Sequence, residues 1–86
     1  MTADFHKTFD KQFAKLSEQQ KRRVRVIVEQ FLENPTDVTL RNHPLKREWS
    51  GHRSISAGGD LRSHYFVVSS TKVLFVAVGT HSQLYK

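Results

Sequence analysis

The hydrophobic pattern changes its period once, near residue 53, and that change limits the possible folds more than any other feature of the chain. Upstream, Phe5, Phe9, Phe13 and Leu16 recur at spacings of four, four and three, and Val24, Ile27, Val28 and Phe31 follow at three, one and three. Each set draws a single apolar stripe along a helix. Ser17 followed by Gln20 reads as an N-cap with its capping-box partner, and Asn34-Pro35 stops the second helix. Downstream, Arg53, Ile55 and Ala57 alternate with Ser54 and Ser56, and Gly58-Gly59-Asp60 forms a turn. Leu61–Val68 is then a second strand, Ser69–Lys72 a turn, and Val73–Val78 a third strand.

The expected fold is therefore α+β, with two N-terminal helices packed on one face of a small antiparallel sheet of three to five strands. Ile55, Tyr65, Val67 and Phe75 are expected in the core, together with Trp49. The first few residues can alternatively form a short edge strand. Residues 38–51 are the least regular stretch, a loop with room for another edge strand. In the second strand Leu61, Ser63, Tyr65 and Val67 share one face, and Arg62, His64, Phe66 and Val68 share the other.

At 86 residues the chain makes one domain, residues 1–86, which buries only about 60% of the surface of its unfolded form. It has no Cys, which excludes a disulfide framework and thiolate metal sites and fits a reducing compartment. The first residues lack the apolar core of a signal peptide, and the six-residue run Val73–Val78 is far short of the roughly 20 residues that span a bilayer. The expectation is a cytosolic protein with no membrane association.

The net charge of +6 is unevenly spread. Residues 1–37 hold seven Lys/Arg against six Asp/Glu, whereas residues 38–86 hold seven against Glu48 and Asp60 alone, with four of the five His. A basic second half attracts polyanions. The run Lys21-Arg22-Arg23 with Arg25 reads as a solvated helical face. His43, His52, His64 and His81 show no metal-ligand spacing, so no metal and no cofactor are expected. His6 and His64 read as surface or packing residues, while His43 is held in Asn-His-Pro-Leu by the fixed backbone of Pro44.

The chain closes with GTHSQLYK, directly after its best buried strand. A strand needed only for packing can end in any solvated turn, yet this one ends in a His and a Tyr, two groups able to handle protons. Together with the stretch His43–Val68, this ending carries a resemblance. The His-Pro-Leu, the Trp49-x-Gly51-x-Arg53 step, the turn Asp60-Leu61-Arg62 and the terminal Gly-Thr-His-x-x-Leu-aromatic are similar, in order and spacing, to toxins of the RelE/ParE superfamily, most closely the YafQ-like branch.

That resemblance implies a RelE-like fold and the toxin of a bacterial type II toxin–antitoxin pair. It implies an endoribonuclease, or mRNA interferase, that cuts mRNA on the ribosome and is held inactive in a hetero-oligomer with a cognate acidic antitoxin. By position, His43, Asp60 and His81 match family residues linked to cleavage, Arg62 matches a basic residue used at the scissile phosphate, and Tyr85 matches a terminal aromatic. Arg53, Lys46 and Arg47 join Tyr85 as candidate RNA contacts. Two positions depart from the pattern, with Ser56 where YafQ-like toxins often carry another His and Leu61 where they often carry Trp.

The chemistry fits these residue types. RNA brings its own nucleophile, so an enzyme need only take the 2′-hydroxyl proton, neutralise the phosphate and protonate the leaving 5′-oxygen. His81 could supply that last proton, Asp60 or His43 could act as base, and Arg62 could clamp phosphate oxygens through its planar fork. Tyr85 could stack on a base or donate to the phosphate. Two other readings remain open: a ParE-type toxin that inhibits gyrase by binding, and an inactive relative that binds RNA or antitoxin without cutting.

Overall fold

The computed structural model describes residues 1–85. Strand β1 (Thr2–Phe5) leads into helices α1 (Lys7–Ala14) and α2 (Glu18–Glu33), followed by β2 (His43–Pro44), β3 (Arg53–Ser56), β4 (Leu61–Ser69), β5 (Lys72–Thr80) and a last helical turn, α3 (His81–Leu84). Short 3₁₀ turns at Val38–Leu40 and Arg47–Trp49 flank β2. Among the described residues, no helix is long and apolar enough to cross a membrane.

The α+β expectation holds, with one addition. The five strands lie in the order β1-β5-β4-β3-β2, and β1 runs parallel to β5 while every other neighbouring pair is antiparallel. The edge-strand alternative for the first residues is thus the one observed. Phe5 belongs to the strand and not to the helical stripe, and it pairs with Phe75. Ser17 caps α2 as expected, its hydroxyl accepting from the Gln20 amide at 3.1 Å while the Gln20 side chain accepts from the Ser17 amide at 3.0 Å.

Both helices cover one sheet face. Phe9 of α1 and Val24, Val28 and Phe31 of α2 pack against Ile55, Leu61, Tyr65, Val73, Phe75 and Val78. Phe75 is the hub, with the rings of Phe5, Phe9, Phe31 and Tyr65 all between 5.5 and 5.9 Å from its own. The Tyr65 hydroxyl accepts from the Asn42 side chain at 2.7 Å, so its polar tip is satisfied at the edge of this core.

Of the four expected core residues, Ile55, Tyr65 and Phe75 are buried, but Val67 is 50% exposed. Val67 does sit on the expected face, opposite the buried Val73. However, the β3–β4 ladder ends at Arg53 and Tyr65, so Val67 has a strand neighbour on one side only. Trp49, also expected in the core, is half-buried at the sheet's other face.

These placements rank the core substitutions. Phe31→Ala, at 1% exposure, is expected to cost about 3–5 kcal/mol, whereas Phe13→Ala, at a half-buried position, should cost less than about 3 kcal/mol. Urea unfolding followed by circular dichroism reads both, and equal losses would contradict this packing.

Candidate active site on the open sheet face

Directly opposed residues in neighbouring strands point to the same side of a sheet. The face away from α1 and α2 therefore carries two rows. One runs His43, Ser54, His64, Ala77 across β2 to β5; the next runs Ser56, Arg62, Gly79 across β3 to β5. These rows depend on an irregularity in β5, where His64 pairs with Ala77 but Tyr65 pairs with Phe75, so Val76 is skipped. An extra residue reverses the alternation beyond it. Phe75 faces the helices, and Val78 does too, which leaves Gly79 beside Arg62 on the open face.

The end of β5 then turns into α3 through a second capping box. The Thr80 hydroxyl accepts from the Gln83 amide at 3.4 Å, and the Gln83 side chain accepts from the Thr80 amide at 2.8 Å. A Cβ on residue 79 would lie 2.8 Å from the Gln83 side-chain oxygen, so glycine leaves the room this cap needs. The His81 amide donates to the Asp60 carbonyl at 3.0 Å, fastening the start of α3 to the β3–β4 turn. His81 and Tyr85 follow one helical turn apart, with ring centroids separated by 4.5 Å.

Sequence reasoning gave His64 a surface or packing role, and the structure reveals how much depends on it. His64 is wholly buried on the open face, beneath two rings: Trp49 approaches edge-on with centroids 4.5 Å apart, and Tyr85 lies 5.6 Å away with its hydroxyl 3.5 Å from Nε2. The indole N–H of Trp49 donates to the Leu84 carbonyl at 3.3 Å, which ties the 3₁₀ turn to α3. Burial above all, with smaller contributions from the neighbouring His52, Arg62, His43 and His81, lowers the His64 pKa to about 4. One guanidinium and three other imidazoles therefore surround the neutral ring of His64. Burial also raises the Tyr85 hydroxyl, partly offset by Arg62. The signal for His64 was its place on the Arg62 face of β4.

The candidate catalytic residues come from β2, the β3–β4 turn, β4 and α3. Asp60 is exposed beside the start of α3, Arg62 is half-buried with its Nε unpartnered, and His81 is exposed. His43 is exposed on β2, its Nδ1 2.9 Å from the Arg41 carbonyl. A carbonyl can only accept, so Nδ1 holds the proton and neutral His43 offers Nε2 as a base. The candidate RNA contacts are more dispersed. Tyr85 lies in the site, and Lys46 and Arg47 are exposed at the 3₁₀ turn that carries Trp49. Arg53 belongs to the Tyr65 row of the opposite face, where its Nε donates to Asn42 at 2.8 Å. Ser56 accepts from the Gly58 amide at 3.2 Å. Among the described residues, no group of three or more His, Asp or Glu side chains is placed to hold a metal ion.

The profile of the family described as the bacterial toxin of type II toxin–antitoxin systems, YafQ, matches residues 1–86. The fold is similar to that of YafQ from E. coli strain BL21(DE3), at 20% identity and a TM-score of 0.80 over 98% of this chain and 97% of that one. It is likewise similar to the E. coli DinJ–YafQ complex, at 20% identity and a TM-score of 0.77 over 98% and 97%. The RelB–RelE antitoxin–toxin complex from Methanococcus jannaschii aligns at 20% identity and a TM-score of 0.74 over 96% and 95%. No curated protein sequence matches the chain.

The buried His64 predicts a pH dependence. The unfolded chain takes up a proton near pH 6.5 that the folded chain refuses until about pH 4, so stability is full above 6.5, falls between the two values and levels off below. The loss is expected to reach at most about 3 kcal/mol. His64→Phe should flatten this part of the profile in urea unfolding measured from about pH 7 to pH 4; an unchanged slope would mean that His64 is charged in the folded protein.

Proposed function

Because the chain belongs to the YafQ family of type II toxins, we propose that it is a ribosome-dependent endoribonuclease restrained by a cognate antitoxin. The observation that carries this reading is the hydrogen bond from the His81 amide to the Asp60 carbonyl. It ties the backbone of His81 to that of Asp60 at the start of β4, where Arg62 sits on the open sheet face, and so supports reading the three residues as one site.

The 2′-oxygen of the RNA attacks the adjacent phosphorus, the bond to the 5′-oxygen breaks, and a 2′,3′-cyclic phosphate and a free 5′-hydroxyl result. Asp60 or Nε2 of His43 takes the 2′ proton, and His81 returns one to the departing 5′-oxygen. Arg62 holds the non-bridging oxygens in a charge-assisted fork. Tyr85, held against His64 and His81, offers a ring for a base to stack on. This chemistry uses the substrate's own hydroxyl and has no step that calls for a metal. The basic face also has to be kept from message in a living cell. An acidic antitoxin meets that need, and the E. coli relative is known as a DinJ–YafQ complex.

Translation programmed with a defined message, followed by mapping of cut sites, tests the proposal. His81→Gln is expected to keep the fold and lower cleavage by about 10²–10⁴-fold, as for a positioned general acid. Arg62→Ala should also suppress it, and Arg62→Lys should restore only part, because an ammonium lacks the planar fork. Chelator should change none of these rates. Wild-type cutting by His81→Gln would remove the histidine from the mechanism, and growth arrest without any cutting would favour the gyrase-binding alternative.

A further inference from the structure

Next to the candidate site, a cleft of about 810 Å³ opens between α2 and the β3–β4 turn. Arg22, Arg23, Arg41 and Arg62 line it, and its lining contains no carboxylate. Arg23 is committed to structure: its Nε donates to the Ala57 carbonyl at 2.8 Å and a second guanidinium nitrogen donates to the Gly58 carbonyl at 2.5 Å. A Cβ at Gly58, where φ is +100°, would lie 2.7 Å from that nitrogen, so this glycine admits the clamp. The other three arginines are free. The ion pairs among the described residues join Lys21 to Glu18 and Lys72 to Asp4, which leaves Arg22, Arg41 and Arg62 without a carboxylate. The Nε of Arg62 is buried with no partner.

The cleft is continuous with the candidate site. Arg62 belongs to both, and Ser56, its partner across β3 and β4, lines the cleft floor. On the loop before β2, Arg41 reaches the cleft while its carbonyl accepts from His43. Three unpaired guanidinium forks along one track, with exposed glycine backbone at Gly58-Gly59, suit a chain of phosphates. We propose that this cleft holds the phosphodiester backbone of single-stranded RNA on one side of the scissile phosphate, with Arg62 at the junction and Arg22 and Arg41 on successive phosphates. The inference rests on the nuclease reading above and adds where the substrate strand runs. Its favoured occupant is RNA over an acidic peptide because the track starts at the arginine proposed to hold the reacting phosphate.

The test uses the full-length protein and a short fluorescent single-stranded RNA with every 2′-hydroxyl methylated, so that nothing can be cut. Fluorescence anisotropy across a salt series gives the slope of log affinity against log salt. For Arg22→Gln/Arg41→Gln the slope should shrink by about 1.4, since each phosphate contact on a single strand contributes about 0.7. Arg25→Gln is the control, because Arg25 is also on α2 but lies over the Phe13 ring at 5.4 Å, away from the cleft. Its slope should match the wild type. An unchanged slope in the double variant, or an equal fall in Arg25→Gln, overturns the proposal. So does a double variant that keeps RNA affinity but loses affinity for polyglutamate, which would assign the cleft to an acidic protein segment. Cleavage by the wild-type protein separates the two readings: a reduced slope in the double variant when the wild type cuts no message leaves the cleft standing and removes the nuclease, whereas a cutting wild type with an unchanged slope in the double variant does the reverse.

Discussion

One skipped residue in β5 sets the geometry on which the rest depends. If the β4–β5 ladder ran without the irregularity at Val76, strict alternation would place Val78 and Phe75 on opposite faces. The core needs both of them, because Val78 and Phe75 pack in the same cluster against α1 and α2. The irregularity satisfies that demand, and its consequence on the other side is that Gly79 falls beside Arg62. A packing requirement on one face thus determines which residues meet on the face that is free for chemistry. The Gln12 side chain also accepts from the Val78 amide at 2.9 Å, so α1 holds β5 in place just past the point where the register changes.

From there the site is assembled chiefly by the backbone. The Thr80–Gln83 cap, the His81 amide on Asp60 and the clamp of Arg23 on the β3–β4 turn are all contacts to main-chain groups. Such contacts fix positions without engaging the side chains that would act on a substrate. Asp60, His81 and His43 therefore remain exposed and available while their backbones are held. This division answers the question raised by the end of the chain: β5 does not simply run out into His81, because Thr80 ends the strand and caps a short helix that sets His81 and Tyr85 one turn apart.

Much of this was legible in the sequence because it rests on local chemistry. The change of period at Arg53, the capping box at Ser17 and the Gly-Gly turn all declare themselves within a few residues. The same local logic applies at Thr80 and Gln83, whose spacing repeats that of Ser17 and Gln20. What escaped the sequence depends on distant partners. An unbroken apolar run such as Val73–Val78 carries no mark of which residue is skipped, since every member is acceptable on either face. Val67 could be assigned to the correct face but not to its exposure, because that follows from where β3 stops. The helical cations read as one solvated face, yet Arg23 crosses to the carbonyls of Ala57 and Gly58, a contact set by how α2 lies on the sheet. His64 was placed on the right face, and its burial depends on Trp49 and Tyr85 folding over it from two other segments.

The electrostatics of the open face connect these elements to function. Burial beneath Trp49 and Tyr85 keeps His64 neutral, and the neighbouring His52, Arg62, His43 and His81 act in the same direction. Among the described residues, the nearby acidic side chains of this half of the chain are Glu48 and Asp60 alone, and neither makes an ion pair. Arg62 therefore carries its charge without a salt-bridge partner, and an unpaired guanidinium beside other basic groups gives up some stability. An anion lowers that cost when it binds. The neutral imidazole beneath Tyr85 lets the ring sit close to the cluster without adding to its charge, so a phosphate at Arg62 and a base stacked on Tyr85 would both gain from the arrangement that the free protein maintains.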